Sequence, residues 1–338
     1  MLLVLILWLL VGCGGGETKS DKQVWKFAIE EIQGSVQDAY AQQFKERIAE
    51  LSDGRIDVTI YPYGALGTSA QLTELVQSNS IQFAMASPGH LGSVVTEVQI
   101  FSLHFVFSDD EEVNHRVLSQ SERLRALLGK AYRAKKLHLL SVIQEGWMVW
   151  TANKTLRTPA DFSGVKMRTM VSPLLLEAYK AYGANPTPLP YSEVYSGLQL
   201  NMIDAQVNPV FAIEEMSFYE VQDYMIFPNH LPFVATVVTS PTFFDGLEER
   251  DKKLVLAVVG ELDDYIFQVQ RDFNRERLKK IQQASDIEII RLTDEERAVF
   301  RQASMPVRDK YRELAGASGD ALLTALLSEI ERESGSAR

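Results

Sequence analysis

Polar and apolar residues alternate over Gln23–Glu30, with Trp25, Phe27 and Ile29 on one side, and this period of two predicts a strand. Val36, Tyr40, Phe44 and Ile48 then recur every four residues, which predicts a helix over 34–51. Asp53-Gly54 turns the chain into a second alternating strand, 55–62. A helix near 69–78 and an apolar strand at 81–86 continue the alternation. Strand–helix–strand units of this length predict parallel strands with helices on both faces.

The pattern restarts after Gly146. Strands are expected at 147–153 and 165–170, and Ser172-Pro173 opens a helix to Tyr182 as N-cap plus first-turn proline. Ser192 caps a further helix to Asn201, and a strand at 203–207 ends in Asn208-Pro209. Between Glu248 and Ala284 a helical stripe of Val255, Val258, Leu262, Ile266, Val269 and Phe273 runs almost without punctuation. A helix that long reaches across two domains. A strand at 287–292 and a capping box, Thr293 with Glu296, open the last helical region.

The N-terminus sets the compartment. Residues 2–11, LLVLILWLLV, are apolar and uncharged but too short to span a bilayer, which fits the core of a secretory signal. Leu10-Val11-Gly12-Cys13 follows and resembles a bacterial lipobox, so Cys13 is the expected lipidation site and 1–13 a lipoprotein signal peptide. Acyl chains there would hold the protein to a membrane. Cys13 is the only cysteine, so no internal disulfide can form. Residues 14–22, GGGETKSDK, read as a flexible tether, and no later segment is apolar enough to cross a membrane.

Composition narrows the function. The 338 residues are 46% hydrophobic and 23% charged, a globular balance with room for two α/β domains. A net charge of −11 without a basic stripe argues against nucleic acid as a partner. The five histidines are scattered without metal-ligand spacing. There is no G-x-S-x-G elbow, phosphate-cradling loop or H-E-x-x-H helix. The chain therefore reads as a non-enzyme without cofactor or metal.

Three separated segments carry a resemblance: GVKMRTM at 164–170, NPTPLPYSEVYSGLQL at 185–200 and IDAQVNP at 203–209. Their order, spacing and residue identity resemble the extracytoplasmic solute receptors of TRAP transporters. The resemblance extends over essentially the whole chain beyond the tether. Within that family, WKFAIEE (25–31), SPG (87–89), KMRTM (166–170) and PTPLP (186–190) are most similar to receptors for ectoine and hydroxyectoine. It implies a periplasmic-binding-protein-like α/β fold, two domains with a cleft between them, braced by the long helix. The expected division is 23–146 plus about 237–278 for the first domain, and 147–236 plus about 279–338 for the second. Crossing strands near 146 and 236 would join them.

The resemblance also implies a site. Arg168 matches the family arginine that pairs the ligand carboxylate, and its position at the carboxyl end of a strand agrees with where open α/β sheets bind ligands. Guanidinium and carboxylate are both planar, which allows two parallel charge-assisted hydrogen bonds. Asn208 matches an asparagine that bonds the same carboxylate, and Glu31 an acid that meets the cationic ring of ectoine. Tyr191, Phe233, Phe211, His90 and Trp147 complete the expected lining. Departures bear on ligand identity. Tyr191 and Ala212 stand in place of tryptophans, His90 in place of a phenylalanine and Val207 in place of a glutamate. Met148 occupies the position of a second arginine in sialic-acid receptors, and Trp150 adds an indole near the crossover. Exchanging tryptophan for alanine frees the volume of an indole, enough to admit an aromatic acid.

The expected function is capture of a small carboxylate-bearing solute, an ectoine-like zwitterion or another organic acid, by a lipid-anchored monomer in the periplasm. Delivery would be to the membrane subunits of a TRAP transporter driven by an ion gradient. The alternatives are a sensor reporting to a signalling partner, and a lipid-anchored hydrolase.

Overall fold

The computed structural model describes residues 22–336, so the signal segment, Cys13 and the tether up to residue 21 lie outside the described residues. Ten strands form one continuous sheet: β1 Gln23–Ala28, β2 Ile56–Tyr61, β3 Phe83–Ala86, β4 His138–Ala152, β5 Lys166–Thr169, β6 Asn185–Pro188, β7 Ala205–Pro209, β8 Tyr224–Phe227, β9 Pro232–Thr239 and β10 Glu288–Arg291. The helices are α1 Val36–Leu51, α2 Ser69–Gln77, α3 Pro88–Leu91, α4 Glu111–Gln120, α5 Glu122–Ala134, α6 Pro173–Lys180, α7 Val194–Gln199, α8 Val210–Glu215, α9 Pro241–Gly246, α10 Glu249–Ala284, α11 Asp294–Ser304 and α12 Val307–Ser336.

The strand order is β2-β1-β3-β9-β4-β7-β5-β6, with β8 beside β4 and β10 beside β8. The expected parallel pairing holds at both ends, where β1 pairs with β2 and β3, and β5 with β6 and β7. The centre is antiparallel, which the sequence reading did not anticipate. There β9 pairs with β3 and β4, and β4 also pairs with β7 and β8. The strand expected to begin at Trp147 is the second half of β4. Its first half pairs with β9 through Trp147, and the remainder pairs with β7 from Met148 on, so one strand serves both ends of the sheet. Ser141, Gln144 and Glu145 interrupt its apolar pattern, yet all three are buried, and register shifts against β9 fall at Leu140 and Glu145.

Local signals held where short-range chemistry decides. Ser35 Oγ accepts from Asp38 N at the start of α1, and Thr293 and Glu296 close a reciprocal capping box on α11. Ser172 precedes α6 with Pro173 at its first turn, but its hydroxyl donates to Gln99 Oε1 rather than capping the helix.

Helix α10 has 36 residues, about 54 Å at 1.5 Å per residue. Val255, Val258, Leu262 and Ile266 join the apolar cluster of Trp25, Phe27, Tyr40 and Phe44, whereas Ile281 joins that of Val149, Leu198 and Met225. One rigid rod thus packs on both ends of the sheet. Asn274 on α10 donates to Glu145 C=O at 2.9 Å and accepts from Phe211 N at 3.2 Å. Gly146 there has φ +119°, and an added Cβ would lie 3.0 Å from Asn274 Cγ, so this crossing point requires glycine. The C-terminal helix α12 packs Tyr311, Leu322, Leu323 and Leu326 against Val98, Phe101, Leu128 and Tyr132. No helix among the described residues is long and apolar enough to cross a membrane.

Candidate functional site

A cavity of about 240 Å³ opens between the two ends of the sheet. The segments after β1 and β3 supply Glu30, Glu31, Ser87 and His90, and Gln37 comes from α1. From the opposite side, β5, β7 and the segments beyond β5 and β6 supply Arg168, Met170, Tyr191 and Asn208, and Phe233 comes from β9.

Arg168 is only 1% exposed. Its neighbours on β5, Met167 and Thr169, are buried too, and Arg168 stands opposite Thr187 in β6. Nε and Nη2 both donate to the Leu189 carbonyl, at 3.0 and 2.8 Å, which fixes the plane of the guanidinium. Among the described residues it forms no ion pair. Burial pulls its pKa down to about 10, opposed by the phenols of Tyr191 and Tyr63. A buried cation lining a cavity without a carboxylate partner is an anion receptor in waiting.

Asn208 is held by a buried chain of side chains. Its Nδ2 donates to Gln206 Oε1 at 2.6 Å, Gln206 Nε2 donates to Thr151 Oγ1 at 3.0 Å, and Thr151 donates to Gln222. The second Nδ2 proton of Asn208 is the one that can meet a carboxylate. Tyr191 feels the charges of Glu31 and Arg168 together and so sits electrostatically between them; burial, then Glu215 and Glu31, push its phenol well above the usual range. Tyr63 packs edge-on against Tyr191 at 6.0 Å and extends the aromatic wall.

The other pole is acidic. Glu30 Oε2 accepts from Ser87 N at 2.7 Å, and Glu30 Oε1 lies 3.5 Å from His90 Nδ1. Glu31 accepts from Gln37 N at 3.1 Å, and burial, reinforced by the neighbouring Glu145, holds its carboxyl well above the usual range. The site is therefore bipolar, with a cation at one end and carboxylates at the other.

Six expected residues share this cavity: Arg168, Asn208, Glu31, Tyr191, Phe233 and His90. Ala212 lines it as well, where the resemblance expected the missing indole. Two expectations are corrected. Phe211 is fully buried with Trp25 and Phe27 in the core, because α8 turns that position away from the cavity while Ala212 faces it. Trp147 lies opposite Pro232 with its indole toward Glu111 at the start of α4, outside the cavity lining. Glu30, Gln37, Tyr63 and Met170 were missed. Glu30 carried one signal, its place beside Glu31 at the end of a strand; the others became neighbours only through folding. No group of three or more His, Cys, Asp or Glu able to hold a metal occurs among the described residues.

An α/β fold with a deep bipolar cleft, braced by one long helix, is the architecture of an extracytoplasmic solute receptor. The family of bacterial extracellular solute-binding proteins, family 7, matches residues 27–314, and the chain belongs to it. The ectoine/5-hydroxyectoine-binding periplasmic protein UehA of Ruegeria pomeroyi is 36% identical over 93% of this chain and 92% of its own length. The solved structure of the periplasmic ectoine-binding protein from the TeaABC TRAP transporter of Halomonas elongata has a TM-score of 0.89 at 36% identity, covering 92% of this chain and all of that one. A TRAP periplasmic solute-binding protein from Marinobacter aquaeolei, in an apo open structure, is 45% identical with a TM-score of 0.86, covering 90% and 99%. The family consists of periplasmic solute-binding receptors, so TRAP-type solute binding, in concert with membrane transporter subunits, is the function at this level.

Proposed function

We propose that this receptor captures a small carboxylate-bearing zwitterion of the ectoine type and delivers it to TRAP membrane subunits for ion-gradient-driven uptake. The observation that carries the reading is the buried Arg168 guanidinium, which lines the cavity without a protein carboxylate. Arg168 and Asn208 take the ligand carboxylate; Glu31 takes its cationic end; Tyr191 and Phe233 cover its apolar body. Similarity to two ectoine-binding relatives, at 36% identity each, supports the same ligand class. Ala212 in the lining favours a second reading, a bulkier aromatic acid, because its methyl leaves room that an indole would fill.

The cavity closes between two lobes, 23–146 with about 237–278 and 147–236 with about 279–338, and α12 packs on α4 and α5 of the first as well as on α6 of the second. Lipid attached at Cys13 tethers the monomeric receptor to the membrane. Thermal-shift screening of the protein against ectoine, amino acids and aromatic acids tests the ligand class. A ligand at 100 times its Kd adds about 2.7 kcal/mol of stability. Stabilisation by ectoine supports the zwitterion, stabilisation by aromatic acids alone supports the second reading, and no response to any carboxylate overturns both.

Closure has its own test. Gly89 on α3 approaches Met170 beyond β5 so closely that an added Cβ would lie 2.9 Å from Met170 Cβ. Gly89→Val is expected to weaken ectoine binding by about 5- to 150-fold, the equivalent of ~1–3 kcal/mol of overpacking. Isothermal titration reads the affinity, and an unchanged Kd would show that the two sides need not meet there.

A further inference from the structure

Behind the acidic pole of the cavity lies a group that solute contact does not explain. Glu145, in the bulged stretch of β4, is 0% exposed. Its Oε1 accepts from Gln37 Nε2 at 3.2 Å, while Oε2 has no donor among the described residues. Gln37 is the bridge, since its backbone N–H donates to Glu31 and its side-chain oxygen accepts from Glu30 N at 2.8 Å. Gln37 thus holds the Glu31 and Glu145 carboxyls as buried neighbours, one on its backbone N–H and the other on its side-chain amide. Two ionised carboxylates have only acceptors to offer one another, so the contact is favourable when a proton lies between them.

We propose that Glu31 and Glu145 share one proton in the empty receptor, and that the cationic group of an arriving ligand displaces it to solvent. The inference rests on the zwitterion reading above and adds Glu145 as a positioning residue that acts through Glu31. The surroundings favour this proton. On the segment after β1 stands Glu30, paired with His90; α1 adds Asp38, and α8 adds Glu215, with both carboxylate oxygens unpartnered. The cation that acts on Glu215, Arg277 on α10, is itself engaged by Glu214 at 3.0 Å. Burial raises the Glu145 carboxyl to about 7 against the lowering effect of hydrogen bonding to Glu31 and Gln37, and burial reinforced by Glu31 raises Glu215 to about 8. A ligand cation beside Glu31 supplies the positive charge that the proton had supplied, so one proton leaves as one solute enters.

The first test needs no ligand. A carboxyl raised in the fold contributes stability that is complete below its unfolded value, near 4.5, and is lost as pH rises through its folded value, about 7 for Glu145. Glu145→Gln keeps a donor to Glu31 without the second charge. Relative to the variant, the wild-type folding constant, from urea unfolding, is expected to fall by up to about tenfold per pH unit across that window. Parallel pH profiles overturn the proposal. Should the variant fail to fold, carboxyl-carbon NMR titration of glutamate-labelled wild type decides: one glutamic acid pair must retain a proton near neutrality, and ordinary acidic titration of every glutamate overturns the proposal. The second test is ectoine titration in buffers of different ionisation enthalpy at pH 6. Release of about one proton per ectoine, absent in Glu145→Gln, is expected, and binding without proton release overturns the displacement step. Absence of ectoine binding counts against the zwitterion reading, and the ligand-free titration still judges the shared proton.

Discussion

Arg168→Ala abolishes the thermal stabilisation given by any carboxylate ligand, and Arg168→Lys restores only a fraction of it. A guanidinium places two parallel donors on a carboxylate, and each charge-assisted hydrogen bond contributes about 1.5–3 kcal/mol. Losing both lowers affinity by roughly two to four orders of magnitude. Lysine returns the charge as a point without the fork, and it cannot reproduce the paired bonds that Nε and Nη2 make to Leu189 C=O. The same geometry predicts an opposite effect on the empty protein. Burial already disfavours the charge, as its depressed pKa of about 10 records. Arg168→Met, which keeps much of the volume and discards the charge, should therefore leave urea stability unchanged or higher. A ligand-induced shift that survives Arg168→Ala would remove the clamp from the mechanism.

Trp150→Ala is expected to destabilise the fold by about 3–5 kcal/mol without touching the cavity. The indole is fully buried, edge-on to Phe162 at 4.9 Å and tilted against His230 at 5.0 Å. Its Nε1–H donates to Tyr179 Oη at 3.1 Å, and that hydroxyl in turn meets His230 Nε2 at 3.2 Å. His230 belongs to a dry pair with His104, ring centroids 4.5 Å apart, and burial holds both imidazoles below their usual range. Truncation leaves a large void and removes a donor from a chain that water cannot readily repair. Trp150→Phe keeps most of the packing and should lose only about 1–2 kcal/mol more than nothing, the share of the hydrogen bond and the smaller ring. Urea unfolding measures both, and a loss below about 1 kcal/mol for the alanine variant would mean that the cluster collapses to fill the space.

How much of this was legible depends on range. Alternation marked β1 and β2, and the stripe of Val255, Val258, Leu262 and Ile266 marked α10, because period and length are local properties. Arg168, Asn208 and Glu31 were readable through their motifs and their places at strand ends. Glu145 was not, because a charged residue beside a glycine reads as a break in a strand, whereas here it is the buried middle of one. Trp147 was read as a cavity wall for the converse reason. Its position in the chain is close to the crossover, but its side chain reaches Glu111.

The sequence by itself determined the repeating strands and helices, the bracing helix, the receptor family and the cation that lines the cavity, since each is written in periodicity or in a contiguous motif. Only the tertiary structure decided that β9 and β4 run antiparallel through the centre, that Ala212 rather than Phe211 lines the wall, and that Gln37 holds Glu31 and Glu145 together. Those facts depend on residues far apart in the chain being brought together, as Glu31 and Glu145, 114 positions apart, are across Gln37. Local propensity carries no record of such pairings; burial and the packing of α10 against both β4 and α1 create them.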